Sequence, residues 1–418
     1  MRRRLRTPAA LLAGYLVVHL GFLVFGLVVS AQGGAFSDTY IYRTWAEAGF
    51  DDDRLAGGPS PWVYPVLGLV PMWLAGLAGP GPFFFFWVLL VTLLNGWALL
   101  VLTDRGRRRA AIPAAWWWLG FTLLMGWLGF ARVDGLTAPV VLVALSYGVT
   151  RPAFTSALLS VATWMKVWPA AVVLALFVAV EQRVRVVLAG AAVSAVAVLL
   201  ALATGHIDRI ADFLLNQGDR GMQLEATFTT PWLWMSVLDL AGAQMYMNTD
   251  INSMQVDGPG SDVMARLMQP LLLLAALATA ALMARALRRA VRAGRDDAAF
   301  RTELLLTGAL ALVTVFIVFN KVGSPQFVIW LGPAVTVGLV LGPKRWRVPA
   351  ALLLLIAAAT FLIYPLFYDE LSHDHPGMAL VLTIRNLLLV LLLLRCVRRL
   401  VQLGRSVDSS AELDRDRA

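Results

Sequence analysis

The stretch "FSDTYIYRTW" (36–45) sets Asp38 among Tyr40, Tyr42 and Trp45 directly after a long apolar run. A carboxylate partly withdrawn from water is suited to serve as a general base, and aromatic rings at near-helical spacing favour a membrane interface or stack on sugars. The same aspartate would equally cap a short helix. "ARVDG" (131–135) and "MKVWP" (165–169) bring Arg132 and Lys166 into short breaks of the apolar pattern, with Asp134 beside the first. Arginine with lysine forms a clamp for phosphate; the competing reading is a local ion pair between Arg132 and Asp134. "NQGDRGMQLEATFTTPWLW" (216–234) alternates Asp219, Arg220, Gln223 and Glu225 with small or apolar residues, as polar ligands or as a surface loop held by its Pro-Trp anchor. "FNKVGSPQFVIWLGP" (319–333) sets Lys321 and Gln326 at a further helix end, where a cation and an amide hold phosphate or sugar, or the lysine snorkels to water.

Other patterns carry less. The Asp-x-Asp in "DDD" (51–53) matches a metal-holding pattern of nucleotide-sugar transferases, but without a nucleotide-binding α/β domain a solvated loop fits better. "HDH" (373–375) has metal-like residue types in an exposed turn, and His19 and His206 stand alone, so no metal and no cofactor is expected. The chain has no Walker A loop, nucleophile elbow or GxGxxG in a fitting context, which removes the main support for ATP-driven transport and serine hydrolysis.

These residues need a scaffold, and composition defines it. Of 418 residues, 59% are hydrophobic and 15% charged, which points to an all-α polytopic membrane protein. The net charge of +9 lies in short arginine clusters at 2–6, 105–109, 183–185, 285–295, 344–347 and 395–405. Clusters between apolar runs are topology signals for a bilayer rather than a nucleic-acid surface. Lysine occurs three times (Lys166, Lys321, Lys344); with abundant arginine and alanine this fits a GC-rich bacterial genome. Cys396 is the single cysteine, so no intrachain disulfide forms. The apolar stretch 8–30 after "MRRRLR" exceeds the roughly 7–15 residues of a signal-peptide core and is read as an uncleaved first helix.

If every arginine cluster faces the cytoplasm, the spans between clusters come in even numbers. That parity makes 62–78, with Pro65 and Pro71, an interfacial or re-entrant piece, and splits 153–180 into two short spans meeting at Lys166. A lysine at the bilayer centre would cost at least ~2.5 kcal/mol. Twelve spans result, at roughly 8–30, 82–103, 111–130, 134–149, 153–165, 168–180, 185–204, 263–284, 300–319, 325–341, 348–366 and 378–394. Both termini are then cytoplasmic, with long outer loops at 31–81 and 205–262. The expected organisation is an N-terminal seven-helix module (1–204), a large outer loop (205–262), a C-terminal five-helix module (263–395) and a cytoplasmic tail (396–418), polar and disordered from Ser406. The chemically varied sequence falls on the outer face.

In order, "SDTYIYR", a Tyr-Pro followed by an apolar stretch with a second proline, "KVWP", "DRGMQLEA" and "NKVGSPQFVIWLGP" resemble the polyprenol-phosphate-mannose-dependent mannosyltransferases of actinobacteria, glycosyltransferase family 87 of the GT-C superfamily. The likeness runs from about residue 8 to 395. It implies a GT-C-like bundle with long outer loops after helices one and seven, a first-loop aspartate as catalytic base, which falls on Asp38, and transfer of mannose from a polyprenyl-phosphate donor to a glycolipid or lipoglycan acceptor at the plasma membrane's outer face. Members often carry "YPP" in the first loop, where this chain has Tyr64-Pro65-Val66. On that reading Arg132, Lys166, Arg220 and Lys321 are candidates for the donor phosphate. Tyr40, Tyr42, Tyr64, Asp134, Gln223, Glu225 and Gln326 are candidates for sugar or acceptor. The alternative classes are a lipid-linked sugar flippase, which would want charges near the midplane and an internal repeat, and a non-catalytic lipid-binding subunit.

Overall fold

Proline stands in the first or second position of many of the helices, among them at Pro8, Pro152, Pro169 and Pro343, where its missing N–H costs nothing and its fixed φ suits a helix start. The computed structural model describes residues 4–32, 36–49, 62–203, 207, 210, 221–249 and 253–415, with side chains described to Arg405. The chain enters as α1 (Pro8–Ala31), followed by two short helices, α2 (Thr39–Ala48) and α3 (Leu69–Gly76). Next come α4 (Phe83–Leu102), α5 (Ile112–Met125) and α6 (Trp127–Phe130), the last two separated by Gly126 at φ +52. Then α7 (Asp134–Tyr147), α8 (Pro152–Met165), α9 (Pro169–Ala179) and α10 (Arg183–Ala203) run back and forth. After α11 (Thr230–Val237) and an antiparallel hairpin of β1 (Gln244–Asn248) and β2 (Ser253–Asp257), the chain continues through α12 (Ser261–Arg292), α13 (Ala298–Val318) and α14 (Gly332–Leu341). It closes with α15 (Pro343–Phe361), α16 (Tyr368–Ser372) and α17 (Pro376–Arg415).

Among the described residues, seven helices are long and apolar enough to cross a membrane: α1, α4, α10, α12, α13, α15 with its extension to Leu366, and α17. The chain is thus a multi-pass membrane protein by length and composition. Shorter apolar segments lie among them, and the twelve-span threading goes beyond these seven. Residues Val66–Gly76 form one such short segment, and 11 residues at about 1.5 Å each reach roughly half of a ~30 Å hydrocarbon core. α13 is the hub, with 83% of its apolar window buried, against 11% for α1 and 17% for α10, whose leucines and valines face outward.

The fold is predominantly helical, and two features add to the expectation. "QMYMN" and "SMQVD" alternate in polarity over short runs and pair as a hairpin in register Gln244↔Asp257 to Asn248↔Ser253. α17 continues without a break past residue 396 and through the arginine cluster to Arg415. Arginine, glutamate and leucine are good helix formers, so polarity alone does not end the helix there. In the same way α12 runs on to Arg292, two turns past the expected end of its apolar span.

The helices gather two different ends. At one, Trp116 donates to the Leu5 carbonyl (2.8 Å), Arg301 to the Ala179 carbonyl (2.9 Å), and Arg399 pairs with Glu303 (3.1 Å). This is where the arginine clusters collect. The opposite end holds Asp38, Arg132, Lys166, Glu225 and Lys321.

Candidate active site

Asp38 occupies the position before α2 but makes no capping hydrogen bond. The turn is closed instead by Thr39, whose hydroxyl donates to the Phe36 carbonyl (2.5 Å) and accepts from the Phe36 amide (3.1 Å). Phe36 is anchored against the rings of Phe25, Phe84 and Trp127. Between anchor and helix, Ser37 takes φ +57, a left-handed conformation uncommon for a residue with a Cβ. The result aims Asp38 at the bundle, where its carboxylate forms an ion pair with Arg132.

Arg132 lies in the three-residue turn between α6 and α7. The turn is tight because Gly135 packs against the Gly129 carbonyl, a space that any Cβ would fill. Arg132 also donates to the Tyr364 hydroxyl (3.4 Å), and its Nε is buried without a hydrogen-bond partner. Burial lowers the guanidinium's pKa, with Tyr364 and Asp134 opposing the shift. Two residues on, Asp134 is fully buried, and both oxygens are engaged: Oδ2 accepts from Lys166 (2.7 Å) and Oδ1 from the Trp330 indole (2.5 Å). The local Arg132–Asp134 pair therefore gives way to two separate pairs, Asp38–Arg132 and Asp134–Lys166.

The lysine ammonium lies 5.3 Å from the Tyr64 ring centre, 5.5 Å from Phe327 and 5.9 Å from Trp330. These rings stabilise the cation through their electron-rich faces. Burial lowers its pKa while Asp134 opposes the shift. Tyr64 also shares a hydroxyl contact of 3.2 Å with buried Tyr42. Segments 36–45, 62–68, 131–135, 164–169 and 325–330 thus converge on one site.

A second polar cluster adjoins it. The Gln223 amide donates to the Lys321 carbonyl (3.0 Å), and the Gln223 side chain accepts from the Gly323 amide (3.0 Å). Gly323 lies so close to the backbone of Glu225 and Ala226 that a Cβ would collide with it. Arg385, buried within α17, donates to the Glu225 carbonyl (2.8 Å), and Tyr368 donates to Glu225 Oε1 (2.8 Å). Glu225 Oε2 is buried without a hydrogen-bond partner, and burial raises this carboxyl above its ordinary pKa. The Tyr364 and Tyr368 rings, 5.4 Å apart, join this cluster to Arg132.

Most candidates from the sequence therefore meet at one end of the bundle. Tyr40 does not: it is half exposed and faces Arg43. Gln326 is buried one position before Phe327, and Lys321 is buried with its carbonyl tied to Gln223. Arg220, Asp219 and the Asp51–Asp53 run lie outside the described residues. His19 is a packed core residue, 3.1 Å from the Thr92 hydroxyl, and His373 is an exposed partner of Asp369. Among the described residues no three His, Cys, Asp or Glu side chains converge.

The sequence reading missed Tyr364, Tyr368, Trp330 and Arg385. Arg385 carried a usable signal, since a lone arginine inside a long apolar run is a functional or structural marker by default. Trp330 and the tyrosines carried none, because aromatics at helix ends are common in any membrane protein.

The fold and this charged, aromatic-walled end fit an enzyme that works on a substrate at a membrane surface. A family model for glycosyltransferase family 87 matches residues 62–314, and the chain belongs to that family. It is accordingly a membrane glycosyltransferase. The match takes in Tyr64, Arg132, Asp134, Lys166, Gln223 and Glu225, and leaves Asp38, Lys321 and Tyr364 outside it. Comparison with the curated proteins and with solved structures gave no match.

Proposed function

We propose that the enzyme transfers mannose from a polyprenyl-phosphate donor to a hydroxyl of a glycolipid or lipoglycan, with inversion at the anomeric carbon and Asp38 as general base. Asp38 takes the proton from the acceptor hydroxyl, whose oxygen attacks the anomeric carbon. The bond from that carbon to the phosphate oxygen breaks, and its electron pair leaves with the polyprenyl phosphate. The phosphate gains charge as it departs, so cations around it stabilise the transition state more than the ground state. Arg132 and Lys166 take this role, with Arg220 and Lys321 as further candidates. In the resting site Arg132 is held by Asp38. A donor phosphate would compete for the guanidinium and release the carboxylate for the acceptor, which couples donor binding to activation of the base.

One observation carries the lipid-linked donor. An apolar groove of about 510 Å³ runs between α8, α9 and α10, lined by Trp164, Ala170, Val173, Phe177, Val187 and Gly190. Trp164 and Ala170 lie two residues before and four after Lys166 in the chain, and on this reading the donor's polyprenyl tail takes the groove while its phosphate is held at the lysine end. A donor arriving through the bilayer needs no nucleotide-binding domain. The gathering of the arginine clusters at the other end supports a GT-C-like threading of twelve crossings, with both termini cytoplasmic and the site on the outer face.

The test is a donor panel on purified protein. Polyprenyl-phosphate mannose should be consumed and nucleotide-linked mannose should not, and a β-linked donor should give an α-linked product. Transfer from the nucleotide donor, or retention of configuration, would overturn this reading.

A further inference from the structure

At the end of the bundle away from Asp38, a cavity of about 350 Å³ opens between α13, α15 and α17, with Glu303, Arg345, Trp346, Arg395, Arg398 and Arg399 among its lining residues. Its charge is unbalanced. Glu303 is the one carboxylate in the lining; it accepts from Arg399 (3.1 Å) and stands 3.9 Å from Arg345. Among the described residues neither Arg395 nor Arg398 has a carboxylate partner. Four guanidiniums around one carboxylate leave an excess of three positive charges. Residues 395, 398, 399 and 402 recur at the spacing of one helix face, so α17 presents its basic groups to the cavity together.

The surroundings say where such an anion would come from. From Arg395 back toward the middle of α17, Leu394, Leu391 and Leu387 are at least half exposed, and Leu355 on α15 is similarly bare. The cavity thus lies at the polar edge of an outward-facing apolar band, at the depth of a lipid headgroup. Guanidinium forks match phosphate oxygens two at a time, and basic pockets between membrane helices on the arginine-rich side suit anionic headgroups. We propose that this cavity binds the phosphate of an anionic glycerophospholipid, its acyl chains lying along the exposed leucines of α17. Occupancy would tie α13, α15 and α17 together at their arginine ends. The opposite ends of these helices lead to Lys321 and Tyr364 and, on α17, carry Arg385.

The test is lipid binding to the intact protein in detergent micelles, read by native mass spectrometry and by thermal unfolding. Phosphatidylglycerol should be retained and should raise the melting temperature relative to phosphatidylcholine. In the double variant Arg395→Gln/Arg398→Gln, both exposed positions, affinity for phosphatidylglycerol should fall roughly 30-fold, at the typical worth of two surface arginines. Arg285→Gln/Arg288→Gln, on exposed positions of α12 outside the cavity, should bind as wild type does. Equal loss in that second pair would reduce the effect to general surface charge and overturn the proposal, as would wild-type binding by the first pair. Inorganic phosphate at matched concentration should give no stabilisation; if it reproduces the lipid's effect, the site takes free phosphate and the lipid assignment is wrong.

Discussion

Two carboxylates five helices apart meet two cations from neighbouring turns, and the pairs are built differently. Asp134 is sealed, with one oxygen on Lys166, the other on Trp330, and no exposed surface. Asp38 keeps 29% of its side chain exposed and, among the described residues, has only Arg132 as an ion-pair partner. A carboxylate sealed from solvent with a fixed donor on each oxygen cannot be reached by an acceptor hydroxyl, whereas a partly exposed one whose partner can be drawn away can. In the proposed mechanism Asp134 therefore positions its turn and its lysine, while Asp38 takes part in the chemistry. Arg132 and Asp134 are two residues apart in one turn, so fixing Asp134 also fixes the cation that faces Asp38.

The strongest way to break this comparison is at Asp134. Asp134→Ala leaves the buried Lys166 ammonium unpaired, which typically costs about 3–5 kcal/mol. Thermal unfolding and yield should both drop sharply. Asp134→Leu with Lys166→Met should regain much of that stability, since replacing both members of a buried pair by apolar groups is often neutral. A stable Asp134→Ala would mean that the pair does not hold the turn.

Next in size is Arg132→Ala, which should keep the fold and lose about 10²–10³ in turnover, the usual worth of one contact to a developing oxyanion. Assayed with saturating acceptor, near-normal turnover would remove Arg132 from the phosphate site. Tyr364→Phe removes one long hydrogen bond to Arg132 and should cost about 0.5–1.5 kcal/mol of its positioning, roughly a 2- to 13-fold loss in turnover. A loss as large as that of Arg132→Ala would give Tyr364 a direct role.

The smallest expected effect is on pH dependence. Burial raises the folded Glu225 carboxyl above its ordinary value of 4.5. The folded state therefore holds this proton more tightly, and the stability it contributes is full below pH 4.5 and is lost as pH rises through the raised value. Glu225→Gln should flatten that slope in unfolding measured across the window. An unchanged slope would assign it to another group.

Sidedness is checked with cysteines at exposed positions. Met247→Cys in the hairpin should react with an impermeant thiol reagent applied outside intact cells, and Arg108→Cys should not. Buried Cys396 gives little background. Labelling at Arg108 would invert the orientation of the site.

The sequence made some of this legible and some not, for physical reasons. Helix limits were readable to within a few residues along most of the bundle, because proline, glycine and arginine act locally where a helix starts or stops. The hairpin at 244–257 alternates over only five residues a strand, too short a run to stand out beside membrane-length patterns. Asp38 was readable as a candidate from its place after the first apolar run. Its partner was not: Arg132 is 94 positions away, and the nearer carboxylate, Asp134, looked the better match. Only the packing of Trp330 and Lys166 on Asp134 excludes that local pair, and no single-residue signal encodes such a contact.

The central claim rests on Asp38, and Asp38→Asn tests it most directly. The amide keeps size and shape but cannot accept the acceptor's proton. Purified Asp38→Asn should stay folded with a modest drop in unfolding temperature, because buried Arg132 loses a charged partner but keeps an amide oxygen that can accept from it. It should bind polyprenyl-phosphate donor as well as or better than wild type, and transfer sugar about 10²–10⁴ times more slowly. Transfer above a tenth of the wild-type rate by a folded, donor-binding variant would contradict the assignment of Asp38 as the base.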